Sequence, residues 1–343
     1  MTTTTDSDVL LGDGLRSSPH GFGGMTLSGV YGAADEEESL RTLRHALDRG
    51  IRHLDTADVY GRGGNERLVG RLLRERRRDE VLLATKFGIL PESDAEGYRA
   101  RGDAAHVRSS LEASLTRLGT DHVDLYYYHR VDPRVPIEET VGALAELVRE
   151  GLVRHIGLSE ATAGELERAS AVHPIAAVQS EWSIWSRDIE DHVVPTARRL
   201  GVGIVAYSPL GRGFLVGGAA AGSALPEGDA RRNFPRFDDE RRDRNAVIAE
   251  TVAGHAARLG ITPAQLSLAW VSARGRALGV PVVPIPSTRR AARIDENLGA
   301  LAVRLDEGTL AALDVLGALV DGDRARDALS ISQGRERREQ GER

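Results

Sequence analysis

The chain has 343 residues, a net charge of −6 and no cysteine. That length exceeds one small domain and suits a single α/β barrel with insertions. The missing thiols exclude disulfides, cysteine nucleophiles and cysteine metal sites, and the acidic balance gives no reason to expect nucleic acid. A hydrophobic content of 41% supports a sizeable core. No stretch is long and apolar enough to span a membrane. The opening Met1-Thr2-Thr3-Thr4-Thr5-Asp6-Ser7-Asp8 lacks the basic and apolar segments of a signal peptide, so a cytoplasmic protein is expected.

Short apolar runs alternate with longer helical patterns along the chain. The first strand is a glycine-rich run at 22–26. A helix follows at 35–49, with Leu40, Leu43, Ala46 and Leu47 on one face and Gly50 as its stop. Strands are predicted at 51–55 and 81–86. A helix at 104–118 ends at Gly119, and a strand follows at 122–128. The helix at 137–150 ends at Gly151. Further strands are predicted at 154–158, 176–179, 202–207 and 282–285. Eight strands alternating with helices imply a parallel sheet, and the count fits a closed (β/α)8 TIM barrel. An open doubly wound sheet is the competitor. Its dinucleotide fingerprint is absent, since Gly211-Arg212-Gly213 sits late with no helix pattern directly behind it.

Two segments fall outside the repeat. Residues 217–240 read as a long loop after the seventh strand, placed to cover a site at the C-terminal face of a barrel. Residues 333–343 are almost wholly charged or polar and are expected to be disordered. The expected organisation is one barrel domain over 1–320 and a charged, partly disordered tail over 321–343.

Lysine and arginine together number 45, and only Lys86 is a lysine. Arginine is a fork that stays charged, whereas lysine is a compact point charge whose pKa moves with its surroundings. Lys86 ends the apolar run Val81-Leu82-Leu83-Ala84-Thr85, where a buried charge is expensive without a partner. Neighbouring strand ends carry chemistry too. The second ends in Asp55-Thr56-Ala57-Asp58-Val59-Tyr60, and the fourth in Tyr126-Tyr127-Tyr128-His129. In a barrel these ends share one mouth. Each residue alone has a bland reading, such as a helix cap for an aspartate or a structural role for a histidine. Four at successive strand ends are hard to explain as packing. A tyrosine holds its proton at neutral pH, with a reference pKa of about 10, and a nearby ammonium lowers it. Asp55 is expected to hold Lys86 charged, Tyr60 to become a proton donor usable near pH 7, and His129 to orient a substrate oxygen. Such a set offers no nucleophile and no metal site. It suits protonation of a carbonyl oxygen while hydride arrives from elsewhere.

These stretches resemble an aldo-keto reductase of the bacterial and plant branch. The similarity runs from about Phe22 to Asn297. It includes Asp55-Thr56-Ala57 with Tyr60-Gly61 and Asn65-Glu66, then Thr85-Lys86-Phe87-Gly88 and Gly157-Leu158-Ser159-Glu160. Tyr207-Ser208-Pro209-Leu210-Gly211-Arg212-Gly213 and Ile285-Pro286-Ser287-Thr288 with Glu296-Asn297 complete it. The resemblance implies that Asp55, Tyr60, Lys86 and His129 form a catalytic tetrad with Tyr60 as general acid. It implies NADPH lying extended across the barrel mouth. Ser159 and Gln179 match positions that hydrogen-bond the nicotinamide carboxamide, and Tyr207 matches the aromatic that stacks on that ring. Ser208, Leu210, Gly211 and Gly213 match the loop around the pyrophosphate, where glycines let backbone N–H groups approach closely. Ser287, Arg289 and Arg293 open the helix after the eighth strand, where arginine forks favour a 2′-phosphate. Glu296 and Asn297 match adenine contacts.

Some residues depart from the family pattern. Trp182 stands where tyrosine is common, and His20 and Phe22 replace commoner residues before Gly23-Gly24. Asp58 and Trp185 are expected near the mouth. The pocket is expected to be shaped by loops 89–101, 181–187 and 217–240. The leading expectation is NADPH-dependent reduction of a small carbonyl substrate by a monomer. The alternatives are a cofactor-binding regulatory module resembling channel β-subunits, and a Schiff-base aldolase using Lys86.

Overall fold

Strands and helices alternate because the hydrophobic period switches between a continuous buried run and a one-sided helical stripe. The computed structural model describes residues 8–93, 99–217, 223–225 and 227–341. The first half contains β1 Val9–Leu10, β2 Arg16–Ser17, β3 Phe22–Gly23, α1 Glu36–Asp48, β4 His53–Asp55, α2 Gly64–Leu73, β5 Leu82–Phe87, α3 Ala104–Leu118, β6 Val123–Tyr128 and α4 Ile137–Arg149. The second half contains β7 Val153–Ser159, α5 Ala163–Val172, β8 Ala177–Glu181, α6 Val193–Leu200, β9 Gly203–Tyr207, α7 Asp239–Arg258, α8 Pro263–Leu278, β10 Val282–Pro284, α9 Ala291–Leu298, α10 Glu307–Asp314 and α11 Ser332–Glu339.

The eight strands β3 to β10 pair in parallel, each with its neighbour in sequence. The seam between the first and last strands is bridged by Gly21 N–H to Pro284 O at 3.0 Å and Gly23 N–H to Pro286 O at 3.3 Å. This is the (β/α)8 fold. Glycine is needed at the seam, because a Cβ on Gly23 would lie 2.8 Å from Ile285 O. Every residue of β6 is buried, as expected of a strand covered on both faces.

Local chemistry fixes the helix ends. The Asp35 side chain accepts from Glu38 N–H and starts α1, and Gly50, with φ of 87°, turns the chain out of it. Asp103 and Gly119 do the same for α3. Thr162 with Glu165, and Thr262 with Gln265, form reciprocal caps on α5 and α8.

The sequence pattern missed one feature at each end. Before the first barrel strand, β1 and β2 form an antiparallel hairpin. It inserts Leu11 and Leu15 among Ala84, Leu125, Tyr127, Ala176, Val205 and Val283, plugging the N-terminal end of the barrel. After the barrel, the expected disorder of 333–343 is corrected where Ser332–Glu339 form α11, while residues 342–343 lie outside the described residues. Its charges are used in pairs. Glu336 accepts from Ala163 N–H, Glu339 accepts from Thr162 Oγ1 at 3.1 Å, and Arg335 pairs with Glu165 at 2.9 Å. The tail thus docks on the N-terminus of α5. Its composition alone suggests a solvated segment, because partners 170 residues away do not show in a local pattern.

Candidate active site

The C-terminal strand ends open on one face, and the chain between β4 and α2 is pinned there. Thr56 N–H bonds Ala84 O at 2.9 Å, and Asp58 N–H bonds Lys86 O at 3.2 Å. Thr56 Oγ1 donates to Asn65 Oδ1 at 2.6 Å, while Asn65 Nδ2 donates to Gly24 O at 2.9 Å. The turn before α2 holds three residues in the left-handed region, Gly61, Arg62 and Gly63. This geometry returns Tyr60 over the end of β5.

Lys86 is fully buried there. Its Nζ donates to Asp55 Oδ1 and to Thr56 O at 2.8 Å, and it lies 3.5 Å from the Tyr60 hydroxyl. The second oxygen of Asp55 accepts from Gln179 Nε2 at 2.8 Å. Tyr60 and His129 meet edge to face, with ring centroids 5.9 Å apart. The four predicted residues are therefore brought together.

Burial alone drives the Lys86 ammonium down, but the charge of Asp55 and the Tyr60 oxygen outweigh it, so its pKa is raised. Burial dominates at Tyr60 and raises its pKa, with Lys86 opposing. Lys86 thus pulls the phenol down as expected, but burial outweighs it, so the net shift is upward and the free site keeps the phenol protonated. His129 is lowered well below the ordinary histidine value by burial, then by Arg130 and Lys86. It is a neutral imidazole at pH 7, and its buried Nδ1 has no hydrogen-bond partner among the described residues.

A cavity of about 490 Å³ opens above this cluster. Asp55, Tyr60 and His129 line it, and Lys86 lies beneath. Of the residues predicted to meet a cofactor, Ser159, Gln179, Tyr207, Ser208, Leu210, Gly213, Ser287, Arg293 and Asn297 also line it. Three do not. Gly211 packs behind, where a Cβ would meet Trp185 Nε1 at 2.8 Å. Arg289 turns away to the carbonyl oxygens of Gly32 and Ala33, at 3.1 and 2.5 Å. Glu296 pairs with Arg293 at 2.6 Å. The N–H groups of Gly211 and Gly213 bond Ser208 O and Leu210 O within the loop, at 2.9 and 3.0 Å.

The expected pocket walls are partly revised. Asp58 and Trp185 do not line the cavity. Trp185 is buried behind it, stacked on Phe214 at 4.6 Å between centroids. Loop 181–187 contributes no wall, whereas Ile89 and Phe234 from the other two loops do, with Val216 just before the second. Part of those loops, at 94–98, 218–222 and 226, lies outside the described residues.

Several site residues escaped sequence reasoning. Arg212 ties the loop after β9 across the mouth: it pairs with Glu181 at 3.1 Å, donates to Tyr31 OH at 3.2 Å and stacks 4.0 Å over the Phe234 ring. Glu160, with φ of 51°, follows Ser159 and is fully buried. One of its oxygens accepts from Tyr207 OH at 2.9 Å, and Arg324 pairs with both, at 3.0 Å each. Ser332 N–H and Oγ add bonds of 3.0 and 2.9 Å. Burial would raise the Glu160 carboxyl, but the charge of Arg324 reverses this and holds it well below the usual range. The tail thus anchors the tyrosine on the cavity wall. The motif Gly157-Leu158-Ser159-Glu160 hinted at Glu160; nothing in the tail singled out Arg324.

Comparison with known proteins agrees with this architecture. The family model described as "Aldo/keto reductase family" matches residues 20–318. "Probable aldo-keto reductase 1" of Glycine max is 47% identical over 312 residues, spanning 90% of this chain and 88% of that protein. Among solved structures, the thermostable aldo-keto reductase Tm1743, in complex with the inhibitor epalrestat, superposes with a TM-score of 0.71 at 32% identity. It covers 90% of this chain and 99% of that one. The glycerol dehydrogenase AKR11B4 from Gluconobacter oxydans gives a TM-score of 0.80 at 26% identity, over 94% and 99% of the two chains. A family match across nearly the whole barrel, with a relative this similar, places the chain in the aldo/keto reductase family, oxidoreductases of carbonyl compounds that use nicotinamide cofactors.

Proposed function

We propose that this protein reduces aldehydes or ketones to alcohols with NADPH, and that Tyr60 protonates the carbonyl oxygen. The observation that carries this reading is the buried Asp55–Lys86 pair set against the Tyr60 hydroxyl, with a neutral His129 at the ring edge. The cavity residues fit the cofactor. Tyr207 offers a ring face, Ser159 and Gln179 offer polar groups near the tetrad, and Ser287, Arg293 and Asn297 lie in the same cavity. When bound, NADPH supplies hydride to the carbonyl carbon. Arg293 is half-exposed at the helix start, and its pairing with Glu296 is open to exchange for a 2′-phosphate.

Tyr60 carries the proton because it is the one acid of the cluster held neutral with a cation beside it. His129, neutral, donates a hydrogen bond that orients the substrate oxygen. As negative charge develops on that oxygen, Tyr60 transfers its proton. Lys86 then stabilises the phenolate left behind, and its attraction is strong because the ammonium is fully buried. Asp55 keeps Lys86 charged throughout, and Thr56 O fixes its position. An ammonium so held has no lone pair for a substrate carbon, which argues against Schiff-base chemistry.

The direct test is NADPH oxidation against simple aromatic and aliphatic aldehydes, with NADH in parallel. Turnover with a lower KM for NADPH is expected. Tight NADPH binding with no turnover on any aldehyde would overturn the reading in favour of a cofactor-binding module.

A further inference from the structure

Resting on the reductase reading, we infer that Arg130 forms an anion subsite beside the reacting centre, and that the preferred substrates are aldehydes or ketones carrying a carboxylate. Arg130 follows His129 at the end of β6 and lines the cavity. Its Nη1 is fixed by His129 O at 2.7 Å and Ser159 Oγ at 3.2 Å. No other acceptor holds the guanidinium among the described residues. Two further arginines line the cavity, and both are neutralised: Arg212 by Glu181 and Arg293 by Glu296. Arg130 has no carboxylate within ion-pair distance among the described residues.

The nearby carboxylates are committed elsewhere. Asp55 serves Lys86 and Gln179. Glu160 gives its oxygens to Arg324, Tyr207, Ser332 and the Glu181 N–H. A part-buried fork is thus left with donors facing no partner, on a wall shared with apolar Met25, Val59, Ile89, Val216 and Phe234. Such a fork matches a carboxylate geometrically, and pairing is strong where water is excluded. Its charge is felt at the reacting centre, since it opposes the raised pKa of Tyr60 and depresses His129. It stands at the tetrad end of the cavity, held by Ser159, whereas the reading above puts the cofactor's phosphates near Ser208 to Gly213 and Ser287. The cation is therefore placed for substrate.

The test compares 4-formylbenzoate with its neutral methyl ester on wild type, Arg130→Met and Arg130→Lys. In wild type, kcat/KM is expected to favour the acid at least tenfold. Arg130→Met should lower the acid-to-ester ratio by about 10- to 100-fold, the range for losing a charge-assisted hydrogen bond, chiefly through KM. Arg130→Lys should retain an intermediate ratio. Calorimetric titration of 4-formylbenzoate, with and without NADP+, reads the subsite without turnover. An acid and ester used equally by wild type would overturn the subsite and leave the reductase reading intact. So would equal losses on both substrates in Arg130→Met, which would assign the arginine to the shared reaction centre. No reduction of either aldehyde, with acid binding that depends on Arg130, would sink the reductase reading and keep the subsite.

Discussion

Replacing Arg324 by methionine removes the cation that neutralises a fully buried carboxylate. Arg324 makes two 3.0 Å bonds to Glu160 and one of 2.9 Å to Asp188, and both members of the Glu160 pair are almost wholly inaccessible. Breaking a buried pair by removing one partner costs about 3–5 kcal/mol, because the remaining charge stays buried. In a domain of this size that corresponds to a fall in Tm of roughly 4–7 °C. The pH dependence has a definite sign. In wild type the folded Glu160 pKa lies below its ordinary 4.5, so the pair's stabilisation is present above that pH and fades as pH falls further. In the variant, burial is opposed only by Arg130 and the remaining hydrogen-bond donors, so the folded pKa rises from its wild-type position, Glu160 destabilises at neutral pH and is relieved on protonation. The Tm gap between the proteins should therefore be largest near pH 7 and narrow towards pH 4. Adding Glu160→Gln to the variant should recover part of the loss. Calorimetric melts from pH 4 to 8 measure this. A Tm change below about 1 °C, or a gap that does not vary with pH, would mean that Arg324 does not neutralise a buried Glu160 charge.

Two further outcomes follow from single atoms. Burial, then Glu66, pushes the Asp58 carboxyl up to about 7. A raised carboxylate pKa stabilises the fold at low pH and loses that contribution as pH rises through 7. Asp58→Asn should therefore raise Tm at pH 8 and give little change at pH 4, as read by thermal melts; the opposite trend would contradict the assignment. At the barrel seam, Gly23→Ala would push a methyl to 2.8 Å from Ile285 O. It should cost about 1–3 kcal/mol in urea unfolding, and an unchanged midpoint would show that the seam yields freely.

The barrel was legible because its strands are buried on both faces and read as unbroken apolar runs, and because glycine stops such as Gly119 sit where the helices end. Strand ends share one mouth by topology, so Asp55, Tyr60, Lys86 and His129 could be joined before any coordinates. What escaped was non-local. The β1–β2 hairpin has two-residue strands, too short for any period to show. Arg324 works through Glu160, 164 residues earlier, in a segment whose composition suggests solvent. Arg289 fits a phosphate site by position, yet its side chain turns to Gly32 and Ala33, an orientation that spacing does not encode. The sign of the Tyr60 shift depended on how completely burial opposes one ammonium.

Whether Tyr60 supplies the proton is decided by Tyr60→Phe. The substitution removes one oxygen, 3.5 Å from Lys86 Nζ, and leaves the ring. General acid catalysis contributes about 10²- to 10⁴-fold, so kcat for aldehyde reduction should fall by that factor while NADPH affinity, read by fluorescence titration, is retained. Equal turnover by the two proteins would mean that the proton comes from another group.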